Sequence, residues 1–242
     1  VLAAINQALW DLNARKQGKP LRQLLNPAAA DTVPAYGSGL NPSDCVEVTE
    51  RSRAEGYRAF KLKVGFGADV DRRNLEALRA GMKPRERLFV DANQCWSLAE
   101  ARAAIPMLVD TSVEWFEEPM VATTPIEQWK ALAAECPVPL AGGENILDKD
   151  GLEACGDWFD YVQPDIGKWG GVDGCFEIAQ KTASAGKTYC PHWLSGGVGL
   201  MHSAQVLAAV GGAGFLEIDT NPNPLRSELI KGLPGIRDGM FD

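Results

Sequence analysis

The sequence predicts a (β/α) barrel of the α/β class, and three observations carry that expectation. Its 242 residues come close to the roughly 250 of a typical barrel. Short apolar runs alternate with helix-like stretches along most of the chain. Lys63, Asp91, Glu117, Glu144, Asp165, His192 and Glu217 stand at or near the ends of those runs, 28, 26, 27, 21, 27 and 25 residues apart. Each interval is about one strand plus one helix. One reactive side chain per strand end is how a barrel assembles a site on a single rim.

Taken in order, residues 1–17 read as a helix through Val1, Leu2, Ile5, Leu9 and Leu12, closed by Gly18 and Pro20. Eight strands are predicted at 33–37, 58–64, 87–92, 113–117, 138–143, 160–164, 187–191 and 214–218. They are short, apolar and rich in β-branched or aromatic residues, as buried parallel strands are. Helices are predicted between them at 43–55, 69–80, 97–108, 125–135, 149–155, 172–185 and 197–210. Asn41-Pro42-Ser43-Asp44 starts the first of these, and Ser97 with Glu100 forms a capping box at the third. The tail from about 220, with Pro222, Pro224 and Pro234, reads as irregular. Such alternation implies parallel strands with right-handed crossovers. No G-x-G-x-x-G follows a first strand, and the reactive groups are spread over seven strand ends, which argues against an open doubly wound sheet.

Composition narrows the partners. A net charge of −8 disfavours nucleic acid and anionic membrane, both of which reward surplus Lys and Arg. Any anionic substrate must then be held by local positive charge. No run approaches the roughly 18 apolar residues of a membrane span, and no signal-peptide pattern opens the chain. Six cysteines without a CxxC pair read as thiols of a reducing cytoplasm. A single catalytic domain over 1–242 is expected.

The candidate chemistry follows from residue type and period. Lys61 and Lys63 lie two apart in Ala59-Phe60-Lys61-Leu62-Lys63-Val64, on one face of a strand, with Phe60, Leu62 and Val64 on the other. Facing the interior together, each lysine would depress the other's pKa and make a neutral amine available as a base. Asp91, Glu117 and Glu144 close three successive strands. Three converging carboxylates form a hard, all-oxygen site suited to Mg²⁺, and without a cation they would repel one another and take up protons. Alternation alone leaves Glu117 and Glu118 open as the second ligand. Asp165 and His192 end the sixth and seventh strands as an acid–base dyad. Glu217, with Asp219 on the same face, ends the eighth and would donate a hydrogen bond to a substrate carboxylate if its pKa is raised. His202, the other histidine, falls inside a helix and reads as a packing or surface residue.

Read together, K-L-K, D-A-N, F-E-E-P, G-E-N, Q-P-D-I-G-K-W-G-G, the His192 strand end and L-E-I-D resemble the mandelate racemase subgroup of the enolase superfamily, in order and spacing, over the whole chain. The resemblance implies a (β/α)7β barrel with one Mg²⁺ on Asp91, Glu117 and Glu144, and it selects Glu117 over Glu118. It implies Lys63 as one acid/base and the His192–Asp165 dyad as the opposing one. Lys61 would support Lys63 and the substrate carboxylate, and Glu217 would serve as electrophilic hydrogen-bond donor. Members of that family also carry an N-terminal α+β capping domain that supplies specificity loops, to which nothing here corresponds; the end at Asp242 reads as short as well. A homo-oligomer is expected of the full-length form.

The expected activity is Mg²⁺-dependent removal of the proton α to a carboxylate. Dehydration of a sugar acid or related hydroxy acid to a 2-keto acid is the leading form, and racemisation or epimerisation on the same site is its alternative. Outside that class stand a metal-free Schiff-base aldolase using Lys61 or Lys63, and a non-catalytic barrel.

Overall fold

The computed structural model describes residues 1–242. Helix α1 (Leu2–Gln17) ends at Gly18, whose left-handed backbone (φ 62°) lets its N–H bond back to the Arg15 carbonyl. A short helix α2 (Leu21–Leu25) precedes strand β1 (Val33–Leu40). Strict alternation then follows: α3 (Cys45–Ala54), β2 (Ala59–Lys63), α4 (Ala68–Gly81), β3 (Arg87–Asp91), α5 (Leu98–Asp110) and β4 (Phe116–Glu117). It continues with α6 (Ile126–Glu135), β5 (Leu140–Gly142), α7 (Lys149–Ala154), β6 (Tyr161–Val162), α8 (Gly171–Ser184), β7 (Thr188–Tyr189), α9 (Gly197–Val210) and β8 (Leu216–Asp219).

Strands β1 to β7 pair in sequence order, all parallel, and β8 pairs with β1 in parallel. Eight barrel strands joined by seven helices make the (β/α)7β architecture that the sequence leads one to expect. The circle has one seam. No backbone ladder joins β7 to β8, and the Phe215 N–H instead donates to Cys190 Sγ at 3.2 Å.

Two apolar layers position everything else. The outer layer packs the sheet against the helices and includes Phe60, Leu62, Leu88, Val90, Phe116, Val162, Ile178 and Leu207. The inner one fills the barrel with Tyr36, Ala59, Phe89, Trp115, Ala141 and Cys190, against which Tyr161 and Phe215 pack. Phe89 and Trp115 stack with centroids 3.6 Å apart, and Tyr36 meets both edge-on. The predicted division of β2 holds: Phe60 and Leu62 belong to the outer core, while Lys61 lies fully buried on the inner face.

Two elements depart from the sequence reading. Helix α2 was not anticipated; its five residues are too few to show a helical period. The tail is not irregular throughout. It contains helix α10 (Pro224–Ser227) and a hairpin of β9 (Ile236–Arg237) and β10 (Met240–Phe241) that adds antiparallel to the start of β1. The turn is Asp238-Gly239, with φ of 49° and 80°. Asp-Gly is the sequence signal for such a two-residue turn, and the prolines around it obscured it. No helix is long and apolar enough to cross a membrane.

Candidate active site

The inner layer of side chains ends two residues before the charged one. Ala59 leads to Lys61, Phe89 to Asp91, Trp115 to Glu117, Cys190 to His192 and Phe215 to Glu217. Successive inward positions on a strand are two residues apart, so the charges form a layer directly above the aromatic floor. Lys61 is its centre. Its Nζ bonds Glu117 and lies 2.7 Å from Glu217 Oε1 and 3.4 Å from Asp91 Oδ2. The Tyr36 ring lies beneath it, with the centroid 5.3 Å from Nζ. Lys63, less buried, reaches Asp91 Oδ2 at 2.6 Å nearer the mouth.

The expected mutual depression of the lysines does not occur at Lys61. Burial alone would lower its pKa, but Glu117 and Glu217, followed by Tyr36 and Asp91, outweigh it and hold the ammonium protonated. The carboxylates facing Lys61 dominate its titration and favour the charged ammonium. The excess of acid shows elsewhere. Burial pushes Glu117 up to about 8; Lys61 opposes the shift, and Asp91 and Glu217 add to it. Asp91 stays low because Lys61, Lys63 and the Asn93 N–H overcome its burial.

Glu217 corrects a second expectation. Burial favours its neutral acid, yet Lys61 and His192 outweigh burial and lower it to about 2. Its Oε2 accepts the Trp193 N–H at 3.0 Å.

The predicted dyad is present. His192 Nδ1 lies 2.7 Å from Asp165 Oδ2, and Asp165 Oδ1 accepts the N–H groups of Gly167 and Lys168. The other ring nitrogen, Nε2, stands 2.9 Å from Glu144 Oε2 and 3.6 Å from Glu217 Oε2. Burial would lower the imidazole pKa, but Glu217, Asp165 and Glu144 raise it to about 10. The surrounding carboxylates thus favour the charged imidazolium, with Nε2 facing Glu144. His202 fits its packing assignment: its ring nitrogens meet the carbonyls of Val198 and Gln7, tying α9 to α1.

The structure splits the expected ligand trio. Asp91 and Glu117 are register partners across β3 and β4 and meet at Lys61, whereas Glu144 turns to His192 and to Lys168 Nζ at 2.6 Å. Glu144, Asp165 and His192 have their ligand atoms within 4.8 Å of one another. An imidazole set between two carboxylates is also the arrangement of an acid–base group. Asp91 and Glu117 already gather around a cation, the Lys61 ammonium, and with Glu144 they offer hard oxygen donors at three successive strand ends. That donor chemistry fits Mg²⁺. Glu118, the residue alternation left open, adopts φ 39° and turns its carboxylate to the Asn145 amide instead of to Lys61.

Sequence reasoning assigned no role to Gln163, which donates to Glu117 Oε2 at 2.9 Å, or to Lys168, which holds Glu144. Gln163 had a signal, since it lies two residues before Asp165 and on the same face. Lys168, the lysine of the Q-P-D-I-G-K-W-G-G run, had a motif signal but no strand period, because it reaches Glu144 from a loop.

Comparison with known proteins places this geometry. A family model described as enolase C-terminal domain-like matches residues 44–242. The crystal structure of mandelate racemase/muconate lactonizing enzyme from Bordetella bronchiseptica RB50 superposes with a TM-score of 0.94 at 43% identity, covering 99% of this chain and 67% of that one. D-Galactarolactone cycloisomerase of Agrobacterium fabrum is 30% identical over 98% of this chain and 69% of its own length. L-Talarate/galactarate dehydratase of Salmonella typhimurium is 33% identical over 79% of this chain and 50% of its own length. A mutant of that dehydratase, liganded with Mg and L-glucarate, matches with a TM-score of 0.87 at 29% identity, covering 98% of this chain and 59% of that one. The chain thus spans between half and about two thirds of the length of these proteins.

Proposed function

The chain belongs to the enolase C-terminal domain-like family, in the mandelate racemase/muconate lactonizing enzyme group, and from that premise we propose that it removes the proton α to a carboxylate and then expels a β-hydroxyl from a sugar acid or related hydroxy acid. The observation that carries the reading is the placement of His192 between Asp165 and Glu144, with Nε2 directed at the other site carboxylates. Loss of hydroxide from carbon needs a proton donor, and an imidazolium supplies one.

Asp91, Glu117 and Glu144 would hold Mg²⁺. When bound, the ion supplies Lewis-acid stabilisation of the negative charge that develops on the substrate carboxylate as the α-proton leaves. The chain's own groups do the rest. Lys61, charged and fixed by carboxylates, faces the substrate carboxylate as a permanent cation. Lys63, nearer the mouth with its side chain 14% exposed, takes the α-proton. The carbon electron pair forms the new C=C bond, the C–O bond to the β-hydroxyl breaks, and His192 gives that oxygen a proton so that water departs. The enol ketonises to the 2-keto acid. Asp165 keeps the imidazole oriented through Nδ1, and Glu217 holds Lys61 and His192 in their charged forms.

A second reading rests on the placement of Lys63 and His192. Strand β2 and the end of β7 are separated by β1 and β8 on one side of the barrel and by β3 to β6 on the other. Two acid/base groups so placed suit racemisation or epimerisation, in which one takes a proton and the other returns it.

Incubating the chain with Mg²⁺ and a panel of hydroxy acids in deuterated water separates the two. Dehydration yields a 2-keto acid carrying deuterium at the neighbouring carbon. Deuterium at the α-carbon without keto acid assigns racemisation. Activity that survives EDTA together with borohydride trapping of a lysine adduct sinks both.

A further inference from the structure

Tyr161, Gln163 and Asp165 step along the sixth strand and its continuation at the two-residue interval of inward positions. Tyr161 packs on the aromatic floor and Asp165 meets His192, so Gln163 lies between them in the charged layer, an amide among ions. It is 1% exposed. Its Nε2 donates to Glu117 Oε2 at 2.9 Å, while Lys61 holds Glu117 Oε1. The two carboxylate oxygens are therefore claimed separately, one by an amide and one by a cation.

With Lys61 on Glu117 Oε1, the Gln163 NH₂ end meets Oε2 and its carbonyl end faces away. Gln163 Oε1 is left buried with no hydrogen-bond donor. A position serving packing alone would be better filled by an apolar residue of the same size, with no unsatisfied acceptor. The main chain is fixed as well. Gln163 N–H donates to the Gly142 carbonyl at 2.8 Å, and a side chain on Gly143 (φ 134°) would stand 3.0 Å from Gln163 N. The glycine lets β5 and β6 approach closely enough to aim the amide.

We infer that Gln163 is a positioning residue for Glu117: its amide takes one carboxylate oxygen so that the other is presented to the cation shared with Asp91. This rests on the reading of Asp91, Glu117 and Glu144 as a Mg²⁺ site. Partners of this kind orient ligands and raise affinity without touching the ion.

The test is calorimetric titration of the full chain, stripped with EDTA, with MgCl₂, comparing the parent with Gln163→Met. Methionine keeps the length and removes the donor. The expected result is a Kd for Mg²⁺ raised about 10- to 100-fold. The melting curve recorded in EDTA should meanwhile stay with the parent's or move up, since the orphaned acceptor is gone. An unchanged Kd overturns the inference and leaves the Mg²⁺ reading intact. A weakened Kd matched by a clear loss of melting temperature in EDTA also overturns it, because that is what a packing role produces. A parent chain that takes up no Mg²⁺ overturns both.

Discussion

The barrel interior holds two layers one inward position apart, and they obey opposite rules. The floor of Tyr36, Phe89, Trp115 and Phe215 excludes water and packs ring on ring. The layer above it, Lys61, Asp91, Glu117, His192 and Glu217, buries charge on charge. Burial in the floor stabilises the fold. Burial in the charged layer costs free energy that only pairing recovers. The same low-polarity floor makes each pairing above it stronger, because no water screens the field from below. Side chains that a single strand delivers at consecutive inward positions thus divide the work, one holding the fold and the next handling protons.

The largest expected effect comes from breaking the upper layer at its proton donor. His192→Asn should lower kcat about 10²- to 10⁴-fold. Steady-state kinetics beside a urea titration check it, and a variant retaining parent activity removes His192 from the mechanism. Next comes the floor. Trp115 is fully buried and stacked on Phe89, and its indole N–H has no partner, so truncation removes packing and no hydrogen bond. Trp115→Ala should cost about 3–5 kcal/mol in urea unfolding. A loss below about 1 kcal/mol would show that the floor collapses to fill the gap and does not carry the fold.

The smallest effect is one of pH, and it isolates the charged layer. Glu117 and Glu118 are raised from 4.5 to about 8 and His192 from 6.5 to about 10, so between those limits the folded chain binds more protons than the unfolded one. Their contribution to stability falls as pH rises. Glu217, lowered from 4.5 to about 2, acts the other way: its contribution is present above pH 4.5 and lost as pH falls toward 2. With EDTA present the melting temperature should therefore peak near about pH 5 and decline toward alkaline pH, and Glu117→Gln should flatten the decline. A melting temperature that climbs between about pH 5 and 8 would mean that the upper layer is not electrostatically overloaded.

The two layers were not equally legible in the sequence. Lys61, Asp91 and Glu217 could be found because strand period and strand length put them on the rim, while Glu117 could be told from Glu118 only by the family resemblance. The direction of the Lys61 shift was not legible. It depends on Glu117 and on Glu217, the latter arriving beside β2 by way of β1 and β8, a closure that spacing along the chain does not reveal. The partners of Glu144 were hidden for a related reason. Glu144 follows Gly143, whose positive φ turns the chain out of strand register, so alternation stops predicting direction there. The Asp238-Gly239 hairpin was written plainly in the sequence but in strands two residues long, below the length at which a pattern of period two can be recognised.

The seam between β7 and β8 has a mechanical consequence. Elsewhere around the circle, adjacent strands are tied by backbone bonds, and moving one drags its neighbour. At the seam two bonds to side chains cross instead, Phe215 N–H to Cys190 Sγ and Trp193 N–H to Glu217 Oε2, beside His192 and Glu217, whose Nε2 and Oε2 lie 3.6 Å apart. The one joint of the barrel without a backbone ladder therefore lies beside His192 and Glu217, so the distance between these two side chains is set by side-chain contacts and not by strand pairing.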